Sequence, residues 1–392
     1  MKMELLKVKC MAIFLTGIFA TSIPAIARAD WSITGLGTLD GTYSVANAIN
    51  DSGHVVGHDN GDGTNRAFIT GANGAGKHYL DTLGGTTSYA FDINNSGQVV
   101  GHSFTVDGNA HAFITGVNGA GITDLGTLGG DISYAYGINN SGQVVGTSTI
   151  AGNAAYHAFI TGPNGVGMID LGTLGGNKSS AYGINDSGQV VGSSTIAAAD
   201  IQQHAFITGA NGTGMTDLST LTGTTSSIAW DINNSGQVVG FSSLYDEFIG
   251  YYSAQAFVTG ASGSSMADLG TPIDSRADGI NDFGQVVGGL DSFCDFCPGS
   301  AFLYSDGLIT DLSLLAPVVA AGWTQLTAAV DINNHGQIVG WGRREDSPGG
   351  GSRAFMLSPI VAIPEPETYA MLLIGLGLLS FVSRHRKAKH LI

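Results

Sequence analysis

The stretch Ile93-Asn94-Asn95-Ser96-Gly97-Gln98-Val99-Val100-Gly101 returns, with small changes, seven times along the chain. Its leading isoleucines are Ile49, Ile93, Ile138, Ile184, Ile232, Ile280 and Ile332, a period of 44 to 52 residues. A period of that length belongs to one supersecondary unit repeated around a ring or along a rod. Inside the stretch, Asn95-Ser96-Gly97 is turn chemistry, with a glycine free to take positive φ. The valines that follow suit a buried strand.

Each repeat carries four β-like pieces. In the second copy they are Tyr89–Ile93, Gln98–His102, His111–Thr115 and Ile122–Leu125, separated by glycine-rich turns. Short strands rich in β-branched and aromatic residues argue for an all-β chain. Four antiparallel strands per repeat make the blade of a propeller, where radial repetition protects strand edges. The ends agree with a ring. The seventh copy stops at its third strand, Arg353-Ala354-Phe355-Met356, while Ile33–Leu39 matches the fourth-strand pattern of Thr123–Leu128. The expectation is a seven-bladed propeller over residues 30–360, closed by the N-terminal strand; the alternative is a β-solenoid with two rungs per repeat.

Composition narrows the function. The chain has 392 residues, of which 43% are hydrophobic, so material for a core is ample and disorder is disfavoured. Its 60 glycines follow no collagen period. Residues 30–363 hold 7 basic and 28 acidic side chains, a net charge of about −21. Such a surface repels nucleic acids and anionic lipids and suits neutral glycans or cations.

Both ends carry address labels. Lys2, Lys7 and Lys9 precede an apolar run from Met11 to Ile26, and Ala27-Arg28-Ala29 offers a small-x-small cleavage site, so residues 1–29 read as a signal peptide. At the other end Pro364-Glu365-Pro366 precedes the apolar stretch 369–382, and Arg384, Arg386, Lys387 and Lys389 follow it. This is a stop-transfer arrangement: an apolar helix in the bilayer with basic residues on the cytoplasmic side. About 14 apolar residues fall short of the ~20 that a stable span prefers, which favours transient anchoring in the inner membrane. These residues closely resemble the PEP-CTERM sorting signal of Gram-negative bacteria that make exopolysaccharide. The resemblance implies recognition by an exosortase and export to the cell surface or extracellular matrix, and it covers Ile363 to His390 within the tail 361–392. The triplets His111-Ala112-Phe113, His157-Ala158-Phe159 and His204-Ala205-Phe206 resemble the HAF family of extracellular repeats. The family pattern brings no catalytic residues to carry over.

Function is sought where copies differ. The first and third connections of each repeat barely vary in length, whereas the second and the inter-blade connections do. In a four-stranded meander the two variable connections share one face, which marks a binding face. The longest lie at 241–255, 289–300, 313–328 and 341–353. They supply the candidate ligand-binding residues Tyr245, Tyr251, Tyr252, Trp323, Trp341, Arg343 and Arg344. The expected ligands are extracellular polysaccharide or surface proteins.

Other chemistries find little support. Asp92-x-Asn94-x-Ser96-Gly97, Asp231-x-Asn233-x-Ser235-Gly236 and Asp331-x-Asn333-x-His335-Gly336 imitate the opening of a calcium loop, but the ninth position is Val100, Val239 or Val339 and no glutamate closes it, so Asx turn-capping is the simpler reading and no metal or cofactor is expected. His111, His157 and His204 fall on different blades and read as strand-end residues bonded to the neighbouring blade. Cys294 and Cys297 read as a loop-stapling disulfide in an exported protein. No Gly-x-Ser-x-Gly, phosphate loop or His-Glu-x-x-His occurs. The chain therefore reads as a non-catalytic surface protein. The competing class is a glycan hydrolase or lyase, with Asp246, Glu247, Asp291 and Asp295 as acidic candidates on the variable face.

Overall fold

The computed structural model describes residues 30–39, 41–61, 63–197, 202–246, 251–290, 299–347 and 350–360. Among these residues the strands form seven four-stranded sheets. Blade 3 is typical, with consecutive antiparallel strands Gly129–Ile138, Val144–Ile150, Tyr156–Thr161 and Met168–Asp170. The first strands of successive blades touch in a closed cycle, from Gly41–Ile49 round to Trp323–Ile332 and back. They line a central channel. Blade 7 is completed from the far end of the chain: Asp30–Gly35 pairs with Arg353–Ile360, and the next residue, Leu36, donates its N–H to the carbonyl of Ala354 at 3.0 Å. The ring is closed by the N-terminal strand, as the split repeat predicts, and a solenoid is ruled out. One short helix, α1 (Ala316–Ala320), sits in the connection into blade 7.

The apolar core lies between blades rather than within them. Val100, Ala112 and Ile114 of blade 2 pack against Ala135, Ile138, Val144 and Phe159 of blade 3, and the next interfaces repeat the set. The phenylalanine of every Ala-Phe pair, from Phe68 to Phe355, is fully buried. Each removes an aromatic side chain from water, contributing roughly 2–3 kcal/mol.

Polar ties complete the ring at one end of the channel. In every copy the asparagine after the isoleucine folds back on its own turn. Asn139 Oδ1 accepts from the N–H groups of Ser141 and Gln143, at 3.1 and 3.0 Å. Its Nδ2 reaches across to the carbonyl of Asn185 in the next blade, at 3.1 Å. The same amide-to-carbonyl bond runs from Asn50 to Asn94, Asn94 to Asn139, Asn185 to Asn233, Asn233 to Asn281, Asn281 to Asn333, and Asn333 back to Asn50. A second cycle runs one residue further on. There each backbone N–H donates to an Asn or Asp side chain of the next blade, closing from Asn334 to Asp51 at 3.0 Å. The Asx turn-capping inferred from sequence is present, carried by the asparagines.

Replacing Asn139 by alanine removes the side-chain acceptor of the Ser141 and Gln143 N–H groups and the inter-blade donor to the Asn185 carbonyl, which keeps its bond from the Gly188 N–H. We expect the change to cost about 3 kcal/mol, read as a lowered midpoint in urea unfolding. A loss below about 0.5 kcal/mol would contradict a structural role for the cycle.

Candidate binding site in the channel

The channel wall is shaped by a β-bulge that recurs in every blade. In blade 2, Ala90 faces Gly101 and Asp92 faces Val100, which leaves Phe91 as the extra residue. The same shift singles out Asn47, Tyr136, Tyr182, Trp230, Asp278 and Val330. A bulge kinks the strand and re-aims a side chain, and all seven extra residues line one cavity of about 430 Å³. The partner glycine is what admits the bulge. A Cβ on Gly146 would lie 1.9 Å from the carbonyl oxygen of Tyr134, and the equivalent glycines are as tightly approached.

The bulge residues divide the wall in two. Blades 2 to 5 contribute a continuous run of rings, with centroids 5.3 Å apart for Phe91–Tyr136, 5.4 Å for Tyr136–Tyr182 and 4.4 Å for Tyr182–Trp230. Behind Phe91, His102 sits 4.7 Å from both Tyr89 and Tyr134, and His58 lies 4.8 Å from Tyr89. Burial pulls both imidazoles down to about 4, with Lys77 adding to the effect at His58 and His58 at His102, so both rings are neutral at pH 7. Blades 6, 7 and 1 offer Asp278, Val330 and Asn47, joined by Trp341 from a second strand.

Four carboxyl groups line the same cavity. Asp92 accepts from Ile93 at 2.7 Å and from Ile138 of the next blade at 2.8 Å. Asp231 makes the equivalent bonds to Ile232 and Ile280, and Asp331 to Ile332 and Ile49. These aspartates clasp blades 2 to 3, 5 to 6 and 7 to 1. Their calcium-loop appearance in the sequence arises from this clasp and the adjacent Asx turn. Burial raises Asp92 to about 7 against the pull of its two N–H donors. It raises Asp231 to about 6, and Asp331 to about 8 with the repulsion of Asp231 and Asp92 added. Asp278 is raised to about 6 by burial, opposed by Arg276, whose Nε lies 3.1 Å from its Oδ2. Among the described residues no group of three or more His, Cys, Asp or Glu is placed to hold a metal ion.

The loop residues picked from the sequence fare unevenly. Trp341 lines the cavity. Trp323 is a correction: it is only 4% exposed, packed edge-on to Phe355 at 5.8 Å with the Arg344 guanidinium 5.7 Å from its ring. It opens the ten-residue inner strand of blade 7 rather than standing in a loop, so it offers no face to a ligand. Arg343 is exposed, and Arg344 pairs with Asp346 at 3.3 Å. Tyr245, Tyr251 and Tyr252 belong to the hairpin Val238–Asp246 and Tyr251–Val258, with Tyr245 opposite Tyr252 and Asp246 opposite Tyr251. The three repeat histidines bond within their own blades, not to the neighbour: His157 Nδ1 is 2.8 Å from Asp170 Oδ2, and His111 and His204 do the same with Asp124 and Asp217. Ala27, Ala29, Glu247, Asp291, Cys294, Asp295, Cys297, Pro364, Glu365, Pro366 and the apolar stretch 369–382 lie outside the described residues.

Fold and tail together define an exported seven-bladed propeller. Residues 362–387 match the PEP-CTERM protein-sorting motif, which marks the chain for recognition by an exosortase and export to the cell surface of a Gram-negative bacterium. Residues 172–321 match a domain described as a protein of unknown function (DUF3466). Comparison with curated proteins finds no match. Among solved structures the chain resembles the oligogalacturonate lyase of Vibrio parahaemolyticus, at 9% identity and a TM-score of 0.51 over 85% of this chain and 94% of that one. It also resembles a prolyl endopeptidase, at 12% identity and a TM-score of 0.50 over 84% of this chain and 47% of that one. At these identities the likeness concerns the fold alone.

The raised carboxyls predict a pH dependence of stability. Their folded values of 6 to 8 lie above the ordinary value near 4. The folded state therefore holds protons that the unfolded chain releases. The carboxyl contribution to stability is full below about pH 4 and is lost as pH rises through 6 to 8, while the lowered His58 and His102 act in the opposite sense between about pH 4 and 6.5. We expect the melting temperature to drop between about pH 5 and pH 8.5, and Asp331→Asn to shrink that drop. Wild type and variant melting in parallel across the window would contradict it.

Proposed function

We propose that the protein is an exported, non-catalytic glycan-binding propeller whose ligand enters the central channel. Its partner is the exopolysaccharide or another surface glycan. The repeats are read as HAF-type units, and the tail as a transient inner-membrane anchor. The single observation behind this is the two-sided wall: a run of aromatic rings at Phe91, Tyr136, Tyr182 and Trp230 facing Asn47, Asp278 and Arg276 across one cavity. Sugar rings present apolar C–H faces and polar edges, and recognition of such a ligand calls for aromatic platforms with a few placed polar groups. The acidic carboxyls favour binding over turnover because their oxygens are already engaged, three pairs by backbone N–H groups and Asp278 by arginine.

A second reading, a hydrolase or lyase, draws on the same carboxyls, since raised acids in a cleft are common at catalytic sites. Turnover of a polysaccharide that Asp278→Asn abolishes would favour it.

Screening the full chain on a glycan array tests the binding reading. Trp230→Ala and Trp341→Ala are each expected to weaken a hit by about tenfold or more, the loss of one stacked ring. Trp323→Ala should instead lower stability by about 3 kcal/mol and spare affinity. Glycan binding untouched by both channel tryptophans would remove the channel from consideration.

A further inference from the structure

The cavity holds four carboxyl groups and one guanidinium. Arg276 is already engaged by Asp278, so that pair neutralises itself. Asp92, Asp231 and Asp331 meet no basic side chain in the ion pairs of the described residues. Each accepts one backbone N–H on each oxygen, and a carboxylate oxygen has a further lone pair to offer. Three uncompensated carboxyls around one channel are costly to ionise, and in the free protein burial keeps them partly protonated. Asp331 is raised partly by the other two, so they act on one another electrostatically. A cation among them would reverse both the desolvation and the repulsion.

The surroundings decide which cation. Metal ions want clustered oxygen ligands at about 2.0–2.6 Å, and the described acids form no such cluster. The rest of the wall is aromatic. Tyr182 and Trp230 are 4.4 Å apart and share the cavity with Asp231, which follows Trp230 in the same strand. Aromatic faces attract ammonium groups and more so when desolvated. A buried Trp230 Nε1 with no partner adds a donor for a hydroxyl or ring oxygen. Anionic sugars are disfavoured by three carboxyls that have no basic partner.

We propose that the channel selects glycan units bearing a protonated primary amine, seated between the Asp92, Asp231 and Asp331 carboxylates and the rings of Tyr182 and Trp230. This rests on the glycan-binding reading and specifies its ligand: a de-N-acetylated amino sugar rather than a neutral hexose or a uronate.

Calorimetric titration of the full chain with tetramers of glucosamine, N-acetylglucosamine and galacturonic acid at about pH 6.5 tests it. The glucosamine tetramer is expected to bind about tenfold or more tighter than the acetylated one, with the uronate weakest. Asp231→Asn and Asp331→Asn should each erase most of that preference, read as the ratio of the glucosamine to the N-acetylglucosamine affinity within each variant. Competition between glucosamine and N-acetylglucosamine monomers, followed by tryptophan fluorescence of the unmodified chain, gives the same ranking without any variant. Equal affinity for amine and acetamide forms would overturn the amine selectivity while glycan binding stands. Binding of none of the three, with no hit on the array, would remove both.

Discussion

One hydrogen bond, repeated seven times, holds the molecule in its shape: the asparagine Nδ2 of each blade on the backbone carbonyl of the next. Blades of a propeller share no strand hydrogen bonds, so their apolar faces alone would fix separation but not rotation. A directional bond at the channel end of every inner strand fixes the angle as well. It also joins residues 283 positions apart, from Asn333 to Asn50, which turns an open stack into a ring. Because the same side chain closes its own turn, a single residue type sets both the hairpin and the interface. That double duty explains why asparagine stands there in all seven copies.

The glycine seven residues further on imposes the second constraint. Its missing side chain lets a neighbouring carbonyl approach to where a Cβ would stand, and the opposing strand bulges at that level. The bulge releases one residue per blade from the sheet pairing and turns it toward the axis. Packing asks little of that residue's identity, as Asn, Phe, Tyr, Trp, Asp and Val all occupy it. A rigid frame thus presents seven independently variable positions to one cavity.

The fold was legible in the sequence because closure leaves a periodic trace: a fixed turn, a fixed spacing and a split repeat at the ends. The site was less so. Connection lengths pointed to loops of the last three blades, while the lining of the channel is carried by residue identity at constant length, two positions before each isoleucine. Only Trp341 belongs to both sets. Trp323 misled because Gly322 and a long connection precede it, the local marks of a loop. Its burial depends on Phe355, 32 residues later and across the sheet, which no local pattern reveals. The aspartates at 92, 231 and 331 were visible as calcium-loop imitations, but their reach to the isoleucine N–H of the following blade needed the ring to be built.

The strong negative charge of the domain bears differently on the surface and on the channel. At physiological ionic strength exposed charges are screened within about 8 Å, so most of the acidic surface works at long range only weakly, by discouraging aggregation and repelling polyanions. The channel carboxyls are screened far less, because they are partly buried beside aromatic rings. Their field is therefore local and specific, and it falls on the aromatic run that the bulges present. The proposed selectivity resides in three partly buried carboxyls and the rings beside them.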